Sequence, residues 1–163
     1  MQSNINLDRF DLKILHELQQ DGSLSNQDLA ERVGLTAAPC SRRVKQLEES
    51  GVISGRVVRV DERKVNLSII ALLYISMDKH IPERFEVFER EIRNIPEVME
   101  CYMITGNNAD YQLKVAVADL DSYYEILLGK ITRIEGVSGV HSSFILRKIV
   151  DTTAVPLHYV KRN

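Results

Sequence analysis

The sequence predicts an α+β chain of two domains, in which three short helices with a two-stranded appendage precede a β-α-β-β-α-β sheet domain. Three observations carry this. Residues 8–49 place apolar side chains at helical spacing in three runs, each closed by a polar or glycine stop. After a charged, apolar-poor stretch at 61–66 the rhythm changes to β-branched and alternating runs separated by two helical ones. The later part also repeats itself, because at an offset of 39 Phe88 aligns with Leu127, Ile92 with Ile131, Ile95 with Ile134, Val98 with Val137 and Cys101 with Val140. The 163 residues, 44% hydrophobic and 27% charged, are enough for two small cores, and 8 Gly with 4 Pro exclude a low-complexity or collagenous chain.

Taken in order, Asp8 caps a first helix, with Asp11 three residues later and Ile14, Leu15 and Leu18 at helical spacing until Gln19-Gln20-Asp21-Gly22 stops it. Ser25-Asn26-Gln27-Asp28 resembles a capping box for a second helix, which buries Leu29, Ala30 and Val33 and ends at Gly34, with Leu35 turning inward. Thr36 caps a third, whose first turn tolerates Pro39 because amides there lack intrahelical partners. At 100° per residue, Ala37, Cys40, Val44 and Leu47 fall on one side. Ala38, Ser41, Arg42, Lys45, Gln46 and Glu49 fall on the other.

Two short helices joined through a glycine turn, the second bearing small and basic residues on its outer face, suit a helix-turn-helix that enters a major groove. Small residues allow close approach, and Arg or Lys then reach bases or phosphates. Gly51 stops the helix, and 52–60 reads as a two-stranded wing bent near Ser54-Gly55. The net charge of −2 hides a local excess of three positive charges between Thr36 and Val60. The expected DNA-contacting set is Thr36, Ala38, Ser41, Arg42, Arg43, Lys45, Gln46, Arg56 and Arg59. A three-helix domain with an ordinary solvated basic face is the plainer alternative.

In the second domain, Ile69–Met77 reads as a buried strand, and Pro82 opens a helix with Phe85, Phe88, Ile92 and Ile95 inward. A strand over 98–105 and a turn at Gly106-Asn107-Asn108-Ala109 lead to a strand over 111–118, where Leu113, Val115 and Val117 alternate with Gln112, Lys114 and Ala116. Asp121 caps the second helix, with Tyr124, Leu127, Leu128, Ile131 and Ile134 inward, and a last strand runs from Gly136 through Val150. This is the split βαβ, or ferredoxin-like, order. Such a sheet carries helices on one face, so the other is solvated or covered by a partner, and the apolar far end of 140–146 favours pairing of two subunits. The domains are placed at 1–60 and 68–163, with a linker at 61–67.

Catalytic chemistry has little support. His16, His80, His141 and His158 are scattered without metal or triad spacing, Cys40 lies on an inward helix face, and no glycine loop with a Lys cradles phosphate. Cys40 and Cys101 form neither a disulfide framework nor a zinc pattern, so no metal and no cofactor is expected. The longest near-apolar run falls short of the ~20 residues that span a bilayer. Without a leader pattern at the N-terminus, a cytoplasmic location and no membrane partner are expected.

The turn Thr105-Gly106-Asn107-Asn108-Ala109-Asp110-Tyr111 stands apart. A free amino acid needs a carboxylate for its ammonium and backbone amides for its own carboxylate, and a glycine turn ending in Asp offers both. A plain hairpin turn is the alternative. The candidate ligand set is Thr105, Gly106, Asn107, Asn108, Asp110 and Tyr111.

The run from Val33-Gly34-Leu35-Thr36 through Cys40-Ser41-Arg42-Arg43-Val44 to Ser50-Gly51-Val52-Ile53 resembles the Lrp/AsnC family of transcriptional regulators. So do Leu7-Asp8-Arg9-Phe10-Asp11, the glycine-to-Asp-Tyr turn, Ile134-Glu135-Gly136-Val137 and Thr152-Thr153-Ala154-Val155-Pro156-Leu157. The resemblance spans nearly the whole chain. It implies a winged helix-turn-helix binding double-stranded DNA, and a second domain that dimerises, assembles dimers to octamers and binds an amino acid effector between them. It implies a regulator of amino acid or nitrogen metabolism, not an enzyme, with an effector-independent architectural DNA-binding protein as the alternative. Two departures stand out: three residues, not two, separate Gly106 from Asp110, and Asp61-Glu62-Arg63 stands where the family commonly has a proline.

Overall fold

The computed structural model describes residues 6–160, apart from the side chain of Asn107, and the chain forms two compact units. The outer ends of the expected domains, 1–5 and 161–163, lie outside the described residues.

The first unit contains helices α1 (Arg9–Gln20), α2 (Asn26–Val33) and α3 (Ala37–Glu49). Asp8 closes a reciprocal capping box, its carboxylate accepting the Phe10 and Asp11 amides while the Asp11 carboxylate accepts the Asp8 amide. At α2 only half of a box forms, since Ser25 Oγ accepts the Asp28 amide but the Asp28 carboxylate takes the Ser25 hydroxyl instead of the cap amide. Gly34 ends α2 at φ 79°, a left-handed conformation that costs a side chain strain, and the Leu35 amide then returns to the Ala30 carbonyl. That turn drops Leu35 against a core of Ile14, Leu15, Leu29, Ala30, Val33, Cys40, Val44 and Leu47. Ala37, expected inward, is exposed. It is the first helical residue, and because Cα–Cβ bonds tilt towards the N-terminus it projects past the helix end.

The expected wing is not paired. Among the described residues 52–60 contains no strand, and Val57 and Val58 are 82% and 89% exposed. A hairpin needs side chains to bury on one face, and here the arginines of the segment turn to other partners. A second departure concerns the chain's end, which the sequence assigned to the second domain. Residues 150–160 group with the first unit. Leu157 packs on its core, and Gln19 makes two hydrogen bonds with the Val155 backbone.

The second unit is a four-stranded antiparallel sheet, β1 (Ile69–Met77), β2 (Val98–Asn107), β3 (Ala109–Val117) and β4 (Val137–Phe144), in the order β2-β3-β1-β4. Helices α4 (Pro82–Ile92) and α5 (Leu120–Gly129) cover one face, forming a single core with Ala71, Leu73 and Ile75 of β1 and Tyr111, Leu113 and Val115 of β3. This is the ferredoxin-like arrangement. The repeat is real in its centre, since Ile92 and Ile131, and Ile95 and Ile134, are all buried, and Val98 and Val137 each start a strand. The linker carries a 3-10 turn at Glu62–Val65 capped by Asp61.

Two expectations in this unit shift. The buried side of α5 is Tyr123 and Ile126, with Leu127 partly buried, whereas Tyr124 and Leu128 are 63% and 44% exposed. Asp119, not Asp121, caps the helix by accepting the Ser122 amide, and Ile131 follows the helix in a 3-10 turn. Adjacent Tyr123-Tyr124 and Leu127-Leu128 pairs satisfy two helical phases, and the winning one lets the Tyr123 hydroxyl meet Ser142 and its ring meet Phe144 edge-on at 5.1 Å. The last strand also stops at Phe144 instead of Val150, because β1 begins at Ile69 and after the Ile145 amide bonds Ile70 there is no strand left to pair with. No helix among the described residues is long and apolar enough to cross a membrane.

Candidate nucleic-acid interface and ligand turn

Burial of Cys40, Val44 and Leu47 fixes the rotation of α3 about its axis, and the opposite side is thereby presented. Thr36 adopts the N-cap backbone but its hydroxyl makes no capping bond, so it is uncommitted at the exposed start of the helix. Ala38, Arg42, Lys45 and Gln46 are exposed, and Ser41 is half-buried with its hydroxyl accepting from Asn26 of α2 at 3.4 Å. Arg42 has no ion pair among the described residues, and Lys45 has only an exposed contact of 3.6 Å with Glu49. Such a pair is weak and easily exchanged for a phosphate.

The remaining three arginines of the expected set are engaged within the unit. Arg43 reaches Asp8 at 2.8 Å and Asp11 at 2.9 Å. Those bonds, Asp11 first, raise its pKa above the ordinary arginine value against the opposing effect of burial. Arg56 pairs with Glu48 at 3.2 Å, and Arg59 with Asp151 at 2.7 Å. Wheel geometry alone could not show this, because each partner lies on another part of the chain. Cys40 is fully buried, which pushes its thiol pKa up and makes it inert core.

The turn between β2 and β3 is tighter than expected. Asn107 pairs with Ala109, so the strands close to within one residue, and the register jumps from Met103↔Tyr111 to Asn107↔Ala109. Ile104, Thr105 and Gly106 therefore stand opposite Asp110 alone, a bulge that takes their backbone out of the regular ladder. Gly106 sits at φ 94° with open space where a Cβ would project, so the glycine is required by the backbone conformation and not by crowding. The Asn108 carbonyl accepts the Ser76 hydroxyl at 2.7 Å, and the side chain of Asn107 lies outside the described residues.

Asp110 is not a bare carboxylate. Its Oδ2 accepts the Met77 amide at 2.7 Å, and its Oδ1 lies 2.8 Å from His80 Nε2. Tyr111 is buried, with its ring against Phe85 and Phe88 and its hydroxyl donating to Glu89 at 3.0 Å. Burial, followed by Glu89, holds its phenol above the ordinary value. It therefore braces the turn from below. Spacing along the chain shows no partner for His80; the antiparallel pairing that sets Ile75 opposite Tyr111 carries the loop beyond Met77 to the turn. Among the described residues no group of three His, Cys, Asp or Glu could hold a metal.

Comparison with known proteins bears on both regions. The family model described as winged helix-turn-helix DNA-binding matches residues 7–54, and the one described as Lrp/AsnC ligand binding domain matches residues 70–155. The chain is 42% identical over 151 residues to the Bkd operon transcriptional regulator of Pseudomonas aeruginosa, covering 93% of this chain and 98% of that one. It is 34% identical over 143 residues to the leucine-responsive regulatory protein of Escherichia coli, covering 88% and 87%. A transcriptional regulator from Neisseria meningitidis, solved as a complex with L-methionine, superposes with a TM-score of 0.92 at 36% identity, over 96% of this chain and all of that one.

Proposed function

Because the chain belongs to the Lrp/AsnC family of DNA-binding transcriptional regulators, we propose that it reads duplex DNA with the outer face of α3 and takes an amino acid at the β2–β3 turn. The observation that carries the first part is the position of Arg42, exposed and unpaired among the described residues, beside the small Ala38 and the free hydroxyl of Thr36. Small residues let the helix sink into the groove, and a guanidinium about one and a half turns from the helix start reaches base edges or the flanking phosphates. Lys45, Gln46 and Ser41 complete the set. Arg43 supports it from behind, and Arg56 and Arg59 join it only by exchanging carboxylates for phosphates.

The second unit supplies assembly and response. Its open sheet face carries Tyr74, Gln112 and Lys114, half-covered, and Phe144 and Leu146 are exposed at the end of β4. A second copy covers this surface, giving a homodimer whose two helix-turn-helix units meet half-sites about one helical turn apart, and dimers then assemble further towards an octamer. The bulged backbone around Gly106 receives the ligand's carboxylate and Asp110 its ammonium, consistent with the methionine complex of the Neisseria relative. The chain acts in the cytoplasm, without a cofactor.

A gel-shift titration at two salt concentrations tests the DNA reading, and binding that is independent of salt and sequence defeats it. A melting screen against the twenty amino acids tests the effector. A ligand at ~100 times its dissociation constant adds about 2.7 kcal/mol to the native state. An unmoved transition with all twenty leaves an effector-independent DNA-binding protein.

A further inference from the structure

The carboxylate of Asp110 is held at two points of unequal strength. The Met77 amide, part of the β1 backbone, holds Oδ2 at 2.7 Å in a partly buried bond. His80 holds Oδ1 at 2.8 Å from a loop, with its side chain 71% exposed while that of Asp110 is only 20% exposed. The imidazole lies on Phe85, ring centroids 6.2 Å apart and planes 25° from parallel, and Phe85 meets Tyr111 edge-on at 5.9 Å. One oxygen is therefore fixed by backbone, and the other is covered by an exposed N–H donor resting on an apolar shelf.

We propose that His80 is a gate on the effector's ammonium site. The imidazole occupies the oxygen that an amino acid's ammonium needs, and binding replaces one N–H donor by another on Oδ1. The inference rests on the reading of the β2–β3 turn as the effector site and assigns its selectivity to a residue outside the turn. A ligand gains only the difference between its own bond to Asp110 and the bond it displaces. An ammonium, with three donors, makes that exchange; a carboxylic acid lacking the amino group has nothing to offer Oδ1 and leaves His80 in place.

The test is calorimetry of the full chain with L-methionine and L-leucine, and with 4-(methylthio)butanoate, the methionine analogue without the amino group. Wild type, His80→Ala and His80→Lys are compared. His80→Ala should bind the amino acids about two- to fivefold more tightly, the range set by loss of one exposed polar contact, and His80→Lys more weakly by a similar factor. The analogue's affinity should be the same in all three. Weaker amino acid binding by His80→Ala, or an equal gain for the analogue, overturns the gate. Equal amino acid affinity in the three proteins also overturns it while the effector site stands. No heat with either amino acid in any of them removes the effector site, and the gate with it.

Discussion

The guanidinium of Arg43 on α3 lies 2.8 Å from the carboxylate of Asp8 and 2.9 Å from that of Asp11, the two residues that close the capping box of α1. One side chain thereby ties the middle of α3 to the N-terminus of the first helix, where the Phe10 ring also lies 5.6 Å from the same guanidinium. Its neighbour Arg42 points the other way and is unpaired among the described residues. Of these adjacent arginines one is committed to holding the helix, and the other is left exposed.

That division predicts opposite phenotypes. Arg43→Ala should lower stability by about 1 kcal/mol, since the bonds are charge-assisted but partly exposed, and so lower Tm by about 2–4 °C. Arg42→Ala should leave Tm unchanged. Thermal denaturation followed by circular dichroism separates them, and equal losses would refute the assignment.

On DNA the order reverses. Arg42→Ala should cost ~1–3 kcal/mol and relax specificity if the guanidinium grips a base, or reduce the salt slope by about one unit if it grips phosphate. The double variant Arg42→Ala, Lys45→Ala is the stronger test. Unchanged binding to both operator and random DNA would exclude the outer face of α3.

The capping box also sets a pH response. Burial opposes ionisation of Asp8, but the Asp11 and Phe10 amides and Arg43 outweigh it, so the carboxyl titrates below its ordinary value of 3.8. A depressed native pKa adds stability that is fully present above the unfolded value and lost as pH falls through the native one. Asp8→Asn should therefore destabilise the protein at pH 7 and flatten the loss of stability below about pH 4. Urea titrations at pH 7, 4 and 3 read this directly; an unchanged acid slope contradicts it.

Gln19 and the tail make a further prediction. Its amide accepts from the Val155 N–H at 2.6 Å and donates to the Val155 carbonyl at 3.3 Å, two bonds that seat the tail on α1 near the packing of Leu157. Gln19→Ala with Leu157→Ala should release the segment after Val150 to proteolysis while the second unit keeps its sheet. Limited digestion with mass spectrometry tests it, and an unchanged cleavage pattern counts against the tail belonging to the first unit.

The sequence by itself determined most of what depends on local pattern, the wing and the cap of α5 excepted. Alternation in Ile69–Met77 and in 111–117, the caps at Asp8 and Ser25 and Gly34 after α2 each express a constraint between residues close in sequence, and with the 39-residue repeat they yield the element order and most of both cores. It also oriented α3, because Cys40, Val44 and Leu47 share one face unambiguously. Tertiary structure decided what depends on distant partners or on a choice between equivalent patterns. The double Tyr and Leu pairs of α5 permit two rotations, and Ser142 and Phe144 select one. A strand ends where its neighbour ends, so β4 stops at Phe144 although its sequence stays apolar. Four arginines look alike along the chain, yet Asp8, Asp11, Glu48 and Asp151 engage three of them and leave Arg42. His80 meets Asp110 only because β1 and β3 pair in that register; such a contact takes its meaning from geometry, which spacing along the chain does not carry.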